Sequence, residues 1–126
     1  MATKRILVVD DEASIRDLCM RVLTRAGFQV ATASTGEDAV SRLQDESVDL
    51  VISDIRMPGM SGLEVLEAAK ALYPSIHVVL ITGFGTPQTL ERARQSGADR
   101  VLTKPFNPTE LLAAVREILP NHAASR

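Results

Sequence analysis

At 126 residues and 13.6 kDa the chain has the length of one domain, long enough to bury a core without a metal or disulfide staple. With 45% hydrophobic and 24% charged residues it is ordinary globular material, neither disordered nor fibrous. Sixteen acids against fourteen bases leave a net charge of −2, which gives no electrostatic footprint for nucleic acid or anionic lipid.

Lys4 and Arg5 precede only four apolar residues, Ile6 to Val9, too few for a signal-peptide core, so this run reads as a first strand in a cytoplasmic protein. Glu12 to Ala26 reads as a helix, because Ile15, Leu18, Cys19, Val22, Leu23 and Ala26 recur on one face. Gly27 ends it. Cys19, the single cysteine, lies on that stripe, which makes it a structural thiol and leaves no disulfide.

Phe28 to Ala33 reads as a second strand, and Thr35 to Leu43 as a helix turning Ala39, Val40 and Leu43 inward. Leu50 to Ile52 is a third strand, followed by a breaker-rich loop over Met57 to Gly62. Leu63 to Leu72 is helical, with Leu63, Leu66, Ala69 and Leu72 on one side. His77 to Ile81 forms strand four, Pro87 to Ser96 a polar helix opened by proline, and Arg100 to Thr103 strand five. Pro108 to Leu119 closes the pattern as a helix; its Leu111–Val115 stretch is the longest apolar run, five residues, far below the ~20 of a membrane span. Pro120 to Arg126 reads as a frayed tail or the start of a removed linker, with residues 4–119 as the core of a single domain.

Five strand–helix alternations imply right-handed crossovers and a parallel sheet covered on both faces. Strands one, three and four are continuously apolar, as central strands should be, while QVATA and RVLTK are mixed and belong at the edges. The expected fold is therefore a doubly wound, flavodoxin-like α/β sheet of five strands in the order 2-1-3-4-5 with five helices. Its topological switch lies between strands one and three.

The residues at those strand ends form an unusual set: Asp10-Asp11, Asp54, Thr82 and Lys104-Pro105. Each has an ordinary alternative. Asp10 or Asp11 would serve as a helix cap, Asp54 as a turn former, Thr82 as a strand residue and Lys104 as a solvated lysine. Together, at a switch point, they specify chemistry. Three carboxylates do not ionise side by side without cations, and one Mg²⁺ with the Lys104 ammonium neutralises them. Oxygen ligands without His or Cys favour such a hard cation, which keeps positions for phosphate oxygens. A carboxylate attacks phosphorus as a nucleophile, lysine supplies a movable charge, and Thr82 supplies a hydroxyl.

On these residues the chain resembles the receiver domain of bacterial response regulators, the CheY-like family, over residues 4 to 119. The Ile81-Thr82-Gly83-Phe84-Gly85 segment is similar to nitrogen-regulator-type receivers. The resemblance implies that Asp54 is the phosphoacceptor and that Asp10 and Asp11, with the Arg56 backbone carbonyl, position Mg²⁺ beside it. It implies that Lys104 contacts the phosphoryl group, that Thr82 is the switch hydroxyl, and that the Lys104–Pro105 bond is cis. The donor would be a phosphohistidine on a sensor histidine kinase. The readout would be the surface over residues 87–119, docking an output domain or partner protein, with phosphorylation-dependent homodimerisation among the outputs the family admits. Neither direct nucleic-acid contact nor membrane insertion is expected, and the chain is either a stand-alone receiver or one cut from a longer protein.

Val101 stands where receivers usually carry an aromatic residue and has no ring to swing, so the output surface would respond through backbone shifts. Arg56 and Phe84 occupy positions that tune phosphoryl lifetime in the family. Two other classes fit the same fold. A haloacid-dehalogenase-type phosphatase wants an acid two residues after the nucleophile, where this chain has Arg56. A flavodoxin-like cofactor binder wants a phosphate-cradling loop where Asp10-Asp11-Glu12 would repel phosphate. A receiver that binds partners without being phosphorylated is the remaining alternative.

Overall fold

The apolar runs pair side by side into one parallel sheet. In the computed structural model, which describes residues 3–120, the strands are β1 Arg5–Val9, β2 Gln29–Ala33, β3 Leu50–Asp54, β4 His77–Thr82 and β5 Arg100–Thr103. Their order is β2-β1-β3-β4-β5, as the strand texts require. The helices are α1 Ala13–Arg25, α2 Gly36–Asp45, α3 Gly62–Leu72, α4 Pro87–Gln95 and α5 Pro108–Ile118.

Alternation along each strand divides the core into two layers. Ile6, Val8, Leu50, Ile52 and Ile81 face Cys19 and Leu23 of α1 and Leu111 and Val115 of α5. Leu7, Val9, Val51, Val78 and Leu80 face the other way, onto Ala39 and Leu43 of α2, Val65 and Leu66 of α3 and Ala93 of α4. At roughly 1.5–3 kcal/mol for each fully buried aliphatic side chain, these layers hold the sheet.

The helix ends follow from local chemistry. Thr35, Thr86, Ser61 and Asn107 each accept a backbone N–H of the following turn, and the last two form capping boxes with Glu64 and Glu110. α1 has Glu12 at its cap with no side-chain cap bond, so neither Asp10 nor Asp11 caps it. Gly27 closes α1 at φ 100°, a backbone that L side chains rarely adopt.

Some expectations shift. β3 continues two residues beyond Ile52 and β4 takes in Thr82, so Asp54 and Thr82 are strand residues rather than residues just past a strand. Phe28 is buried ahead of β2, not within it. In α3 the inward face is Val65, Leu66 and Ala69, while Leu72 is 40% exposed, because the helix starts at Gly62 and its last turn rotates Leu72 off the sheet. Val40 of α2 is only half-buried. Of the tail, residues 121–126 lie outside the described residues.

Gly62 packs tightly behind β3. A Cβ there would sit 2.2 Å from the Asp54 carbonyl oxygen and 2.8 Å from the Ile55 Cα. The Gly62 N–H donates to the Ile55 carbonyl at 2.9 Å. Only glycine lets α3 begin so close to the strand that carries Asp54.

Candidate functional site

Register and alternation together build the site. Val9 pairs with Ser53 and Asp54 with Ile81, so the next residue of the first strand, Asp10, comes level with Asp54 at the switch between β1 and β3. Asp10 continues the row Ile6, Val8; Asp54 continues Leu50, Ile52; Lys104 continues Leu102. All three therefore point to the α1–α5 side of the sheet. Thr82 has the opposite parity, in step with Val78 and Leu80.

Lys104 is the hub. Its Nζ lies 2.7 Å from Glu12 Oε1, 3.2 Å from Asp54 Oδ2 and 3.5 Å from Asp10 Oδ2. Asp10 is fully buried; its Oδ1 accepts the Glu12 N–H at 2.9 Å, whereas its Oδ2 has no hydrogen bond. The Asp10 carbonyl accepts from Arg16 Nη1 at 2.7 Å.

Burial pushes the Asp10 carboxyl up to about 6; the Asp54 and Glu12 charges add to this, while the Glu12 N–H and Lys104 oppose it. Asp54 is also raised, first by burial and further by the Asp11 charge, against Lys104 and the Arg56 N–H. Burial works against the Lys104 charge, yet hydrogen bonding to Glu12 and the fields of Asp10 and Asp54 hold it above the usual lysine value. Burial is the first cause at both Asp10 and Asp54, and buried carboxyls that disfavour their own charge gain from a bound cation.

Carboxylate oxygens of Asp10, Glu12 and Asp54 lie within 4.8 Å of one another. With the orphaned Asp10 Oδ2 among them, this donor set fits a hard divalent cation. Asp11 is exposed, with its charge felt at Asp54, while Glu12 is the acid that the loop turns onto Lys104. Glu12 and Arg16 were missed as site residues. Glu12 stood in plain view in the acidic run, while Arg16 looks in sequence like any solvent-facing helix residue.

Thr82 is buried, and its hydroxyl donates to the Phe84 carbonyl at 3.1 Å and accepts the Phe84 N–H at 3.0 Å, so it closes the loop after β4. Arg56 stacks its guanidinium 5.3 Å from the centroid of the exposed Phe84 ring. Ile55, Arg56, Thr82, Phe84 and Thr86 border a cleft of about 400 Å³. Val101 is half-buried and pairs with Leu80 in the register. The Lys104–Pro105 bond is cis, with Pro105 exposed.

A parallel five-stranded sheet in the order 2-1-3-4-5, with buried acids and a lysine gathered at its switch point, is a CheY-like flavodoxin-type fold with an acidic site at the strand ends. The chain belongs to the response regulator receiver domain family, whose description matches residues 6–116.

Among curated proteins, it is 39% identical over 118 residues to the phosphate regulon transcriptional regulatory protein PhoB of Klebsiella pneumoniae, covering 92% of this chain and 52% of that one. It is 34% identical over 120 residues to sporulation initiation phosphotransferase F of Bacillus subtilis, covering 95% and 97%. The chain thus spans about half the length of PhoB and nearly all of the phosphotransferase. Among solved structures, the chemotaxis protein CheY4 of Vibrio cholerae superposes with a TM-score of 0.88 at 34% identity, covering 93% of this chain and 99% of that one. A CheY-like receiver domain protein of Methanospirillum hungatei reaches 0.90 at 32% identity, covering 99% and 100%. Receiver domains are signalling modules of two-component systems that accept a phosphoryl group on aspartate and interact with sensor histidine kinases, and the family removes the phosphatase and flavodoxin readings. Among the described residues, no helix is long and apolar enough to cross a membrane.

Proposed function

We infer that Asp54 is the phosphoacceptor of a cytoplasmic receiver, the chain forming a single such domain. The supporting observation is the contact of Asp54 Oδ2 with Lys104 at 3.2 Å beside the orphaned Asp10 oxygen. An Asp54 carboxylate oxygen attacks the phosphorus of a kinase phosphohistidine; the P–O bond forms as the P–N bond breaks, and the leaving imidazole nitrogen takes up a proton. Asp10, Asp54 and the Arg56 carbonyl, with Glu12 or Asp11 completing the acidic side, would hold Mg²⁺, which supplies charge neutralisation for the incoming phosphoryl group.

Phosphorylation replaces one negative charge by about two. Lys104 then exchanges its Glu12 contact for phosphoryl oxygens, and Thr82 gives up its two Phe84 backbone bonds to donate to the same group. Arg56 and Phe84, stacked at 5.3 Å beside this loop, are the pair proposed here to restrict water attack on the acylphosphate. The change travels into α4, which buries only Ala93, and so shifts a pre-existing equilibrium of the 87–119 surface. With Val101 in place of an aromatic, the shift proceeds through the backbone. That surface would dock an output domain or partner, or a second copy once phosphorylated; control of transcription, as the name of PhoB states for that protein, is one such output.

Incubation with acetyl phosphate and Mg²⁺ tests this. Wild type should gain the mass of one phosphoryl group, while Asp54→Ala and wild type in chelator should not. An unchanged wild-type mass would leave the phosphorylation-independent binding module as the reading.

A further inference from the structure

Asp10 is gripped at its backbone and at one carboxylate oxygen, which leaves the other oxygen over. Its N–H donates to the Ala33 carbonyl of β2 at 3.1 Å, and its Oδ1 accepts the Glu12 N–H at 2.9 Å. Its carbonyl lies past the end of the sheet, because the ladder between β1 and β3 stops at Val9 and Ser53. Arg16 Nη1 takes that carbonyl at 2.7 Å. What remains is Oδ2, buried and without a hydrogen bond.

Arg16 is suited to this hold by its place near the start of α1, where helical side chains lean toward the N-terminus. Its own N–H donates to the Glu12 carbonyl at 3.2 Å, so one residue grips the loop at both Asp10 and Glu12. The side chain is half-buried, and among the described residues no carboxylate forms an ion pair with it. Arg5, Arg42, Arg94 and Arg100, by contrast, all pair with acids. The charges acting on the Asp10 carboxyl are those of Asp54, Lys104 and Glu12; Arg16 reaches Asp10 through its backbone instead.

Groups that orient a metal ligand from behind are commonly worth about 10–100-fold in metal affinity. We propose that Arg16 is a positioning residue for the divalent cation: by fixing the Asp10 carbonyl it aims Asp10 Oδ2 into the site and keeps Glu12 turned onto Lys104. This rests on Asp10 being a cation ligand, as inferred above. The role runs against the sign of the charge, since a cationic side chain acting by its field alone opposes a bound cation. Removing Arg16 therefore weakens binding if it positions Asp10 and strengthens binding if it only adds positive charge.

The probe is MgCl₂ titrated into isotope-labelled protein and followed by the amide resonances of residues 10–12 and 54–56. Wild type should show a saturable shift there. Arg16→Met keeps the aliphatic stem and loses the donor; it should bind Mg²⁺ about tenfold more weakly, with a thermal melt in chelator close to that of wild type. Arg16→Lys keeps a charged donor and should recover most of the lost affinity. Mg²⁺ binding by the methionine variant as tight as in wild type, or tighter, would overturn the proposal, and so would a lysine variant no better than methionine. Absence of a saturable shift in wild type would instead remove the cation reading of the acid cluster, and the role of Arg16 with it.

Discussion

Ile6, Val8 and Asp10 stand on one face of the first strand and its extension, and Leu50, Ile52 and Asp54 on the same face of β3. In both rows the first two residues are buried methyl-rich side chains packed between α1 and α5. The third is a buried carboxylate, one of them with an oxygen that accepts no hydrogen bond among the described residues and has only the Lys104 ammonium at 3.5 Å. The difference shows where stability is made and where it is given up: two steps along a strand separate side chains that hold the domain from side chains that burden it. A fold at this length can carry that burden because the two apolar layers beneath are complete.

The largest test of the comparison is in the apolar part of a row. Ile52→Ala should lower unfolding free energy by about 2–5 kcal/mol in urea, since Ile52 is fully buried and its neighbours cannot collapse onto the gap. A loss under about 1 kcal/mol would mean the row is not the support described.

At the rim the sign should reverse. The folded Asp10 carboxyl titrates at about 6 instead of 3.8, so its ionisation costs the folded state free energy, fully above about pH 6 and not at all below about pH 3.8. Asp10→Asn keeps an oxygen for the Glu12 N–H and removes the charge. It should gain about 1–3 kcal/mol at pH 7.5, and the gain should fade as pH falls toward 4. Destabilisation at both pH values would break the contrast between row and rim.

Cys19 sharpens the same contrast from the α1 side. Burial pushes its thiol from 9.0 up to about 12, with the Asp10 charge adding to it. Between those values the unfolded chain loses this proton and the folded chain keeps it, so stability falls as pH rises above 9. At pH 10 the contribution is roughly 1.4 kcal/mol, and the difference between wild type and Cys19→Ala in urea melts should change by that amount between pH 8 and pH 10. Iodoacetamide should label the thiol only at the rate of unfolding.

The smallest effect belongs to α4. Leu90 is 40% exposed, so Leu90→Ala should cost less than about 0.5 kcal/mol. Amide exchange should be faster in α4, with its single buried residue, than in α5, which buries Leu111, Ala114 and Val115. Equal protection of the two helices would contradict the movable role given to α4.

Much of this architecture was readable from residue order. Continuous apolar text in ILVV, LVIS and VVLI identifies strands covered on both faces, and mixed text in QVATA and RVLTK identifies the edges, because burial on two faces leaves no place for polar side chains. From that order the switch point follows, and with it Asp10, Asp54 and Lys104. What stayed hidden depends on side-chain direction and loop path. The path of the loop after β4 brings the Phe84 backbone onto the Thr82 hydroxyl, and the turn after Asp10 selects Glu12 over Asp11 as the Lys104 partner. Neither is encoded in residue type. Leu72 misled for a similar reason: helical spacing gives a face, but where the helix begins decides how far that face stays on the sheet.

The close fit of Gly62 against the Asp54 carbonyl ties two segments that an engineer would wish to exchange separately. A chimaera joined between β3 and α3 inherits the strand from one parent and the first helical turn from the other. It will keep the geometry at Asp54 only if a residue without a side chain crosses the junction with it. A saturation library scored for signalling should accordingly find intolerance at a position that has no chemistry of its own.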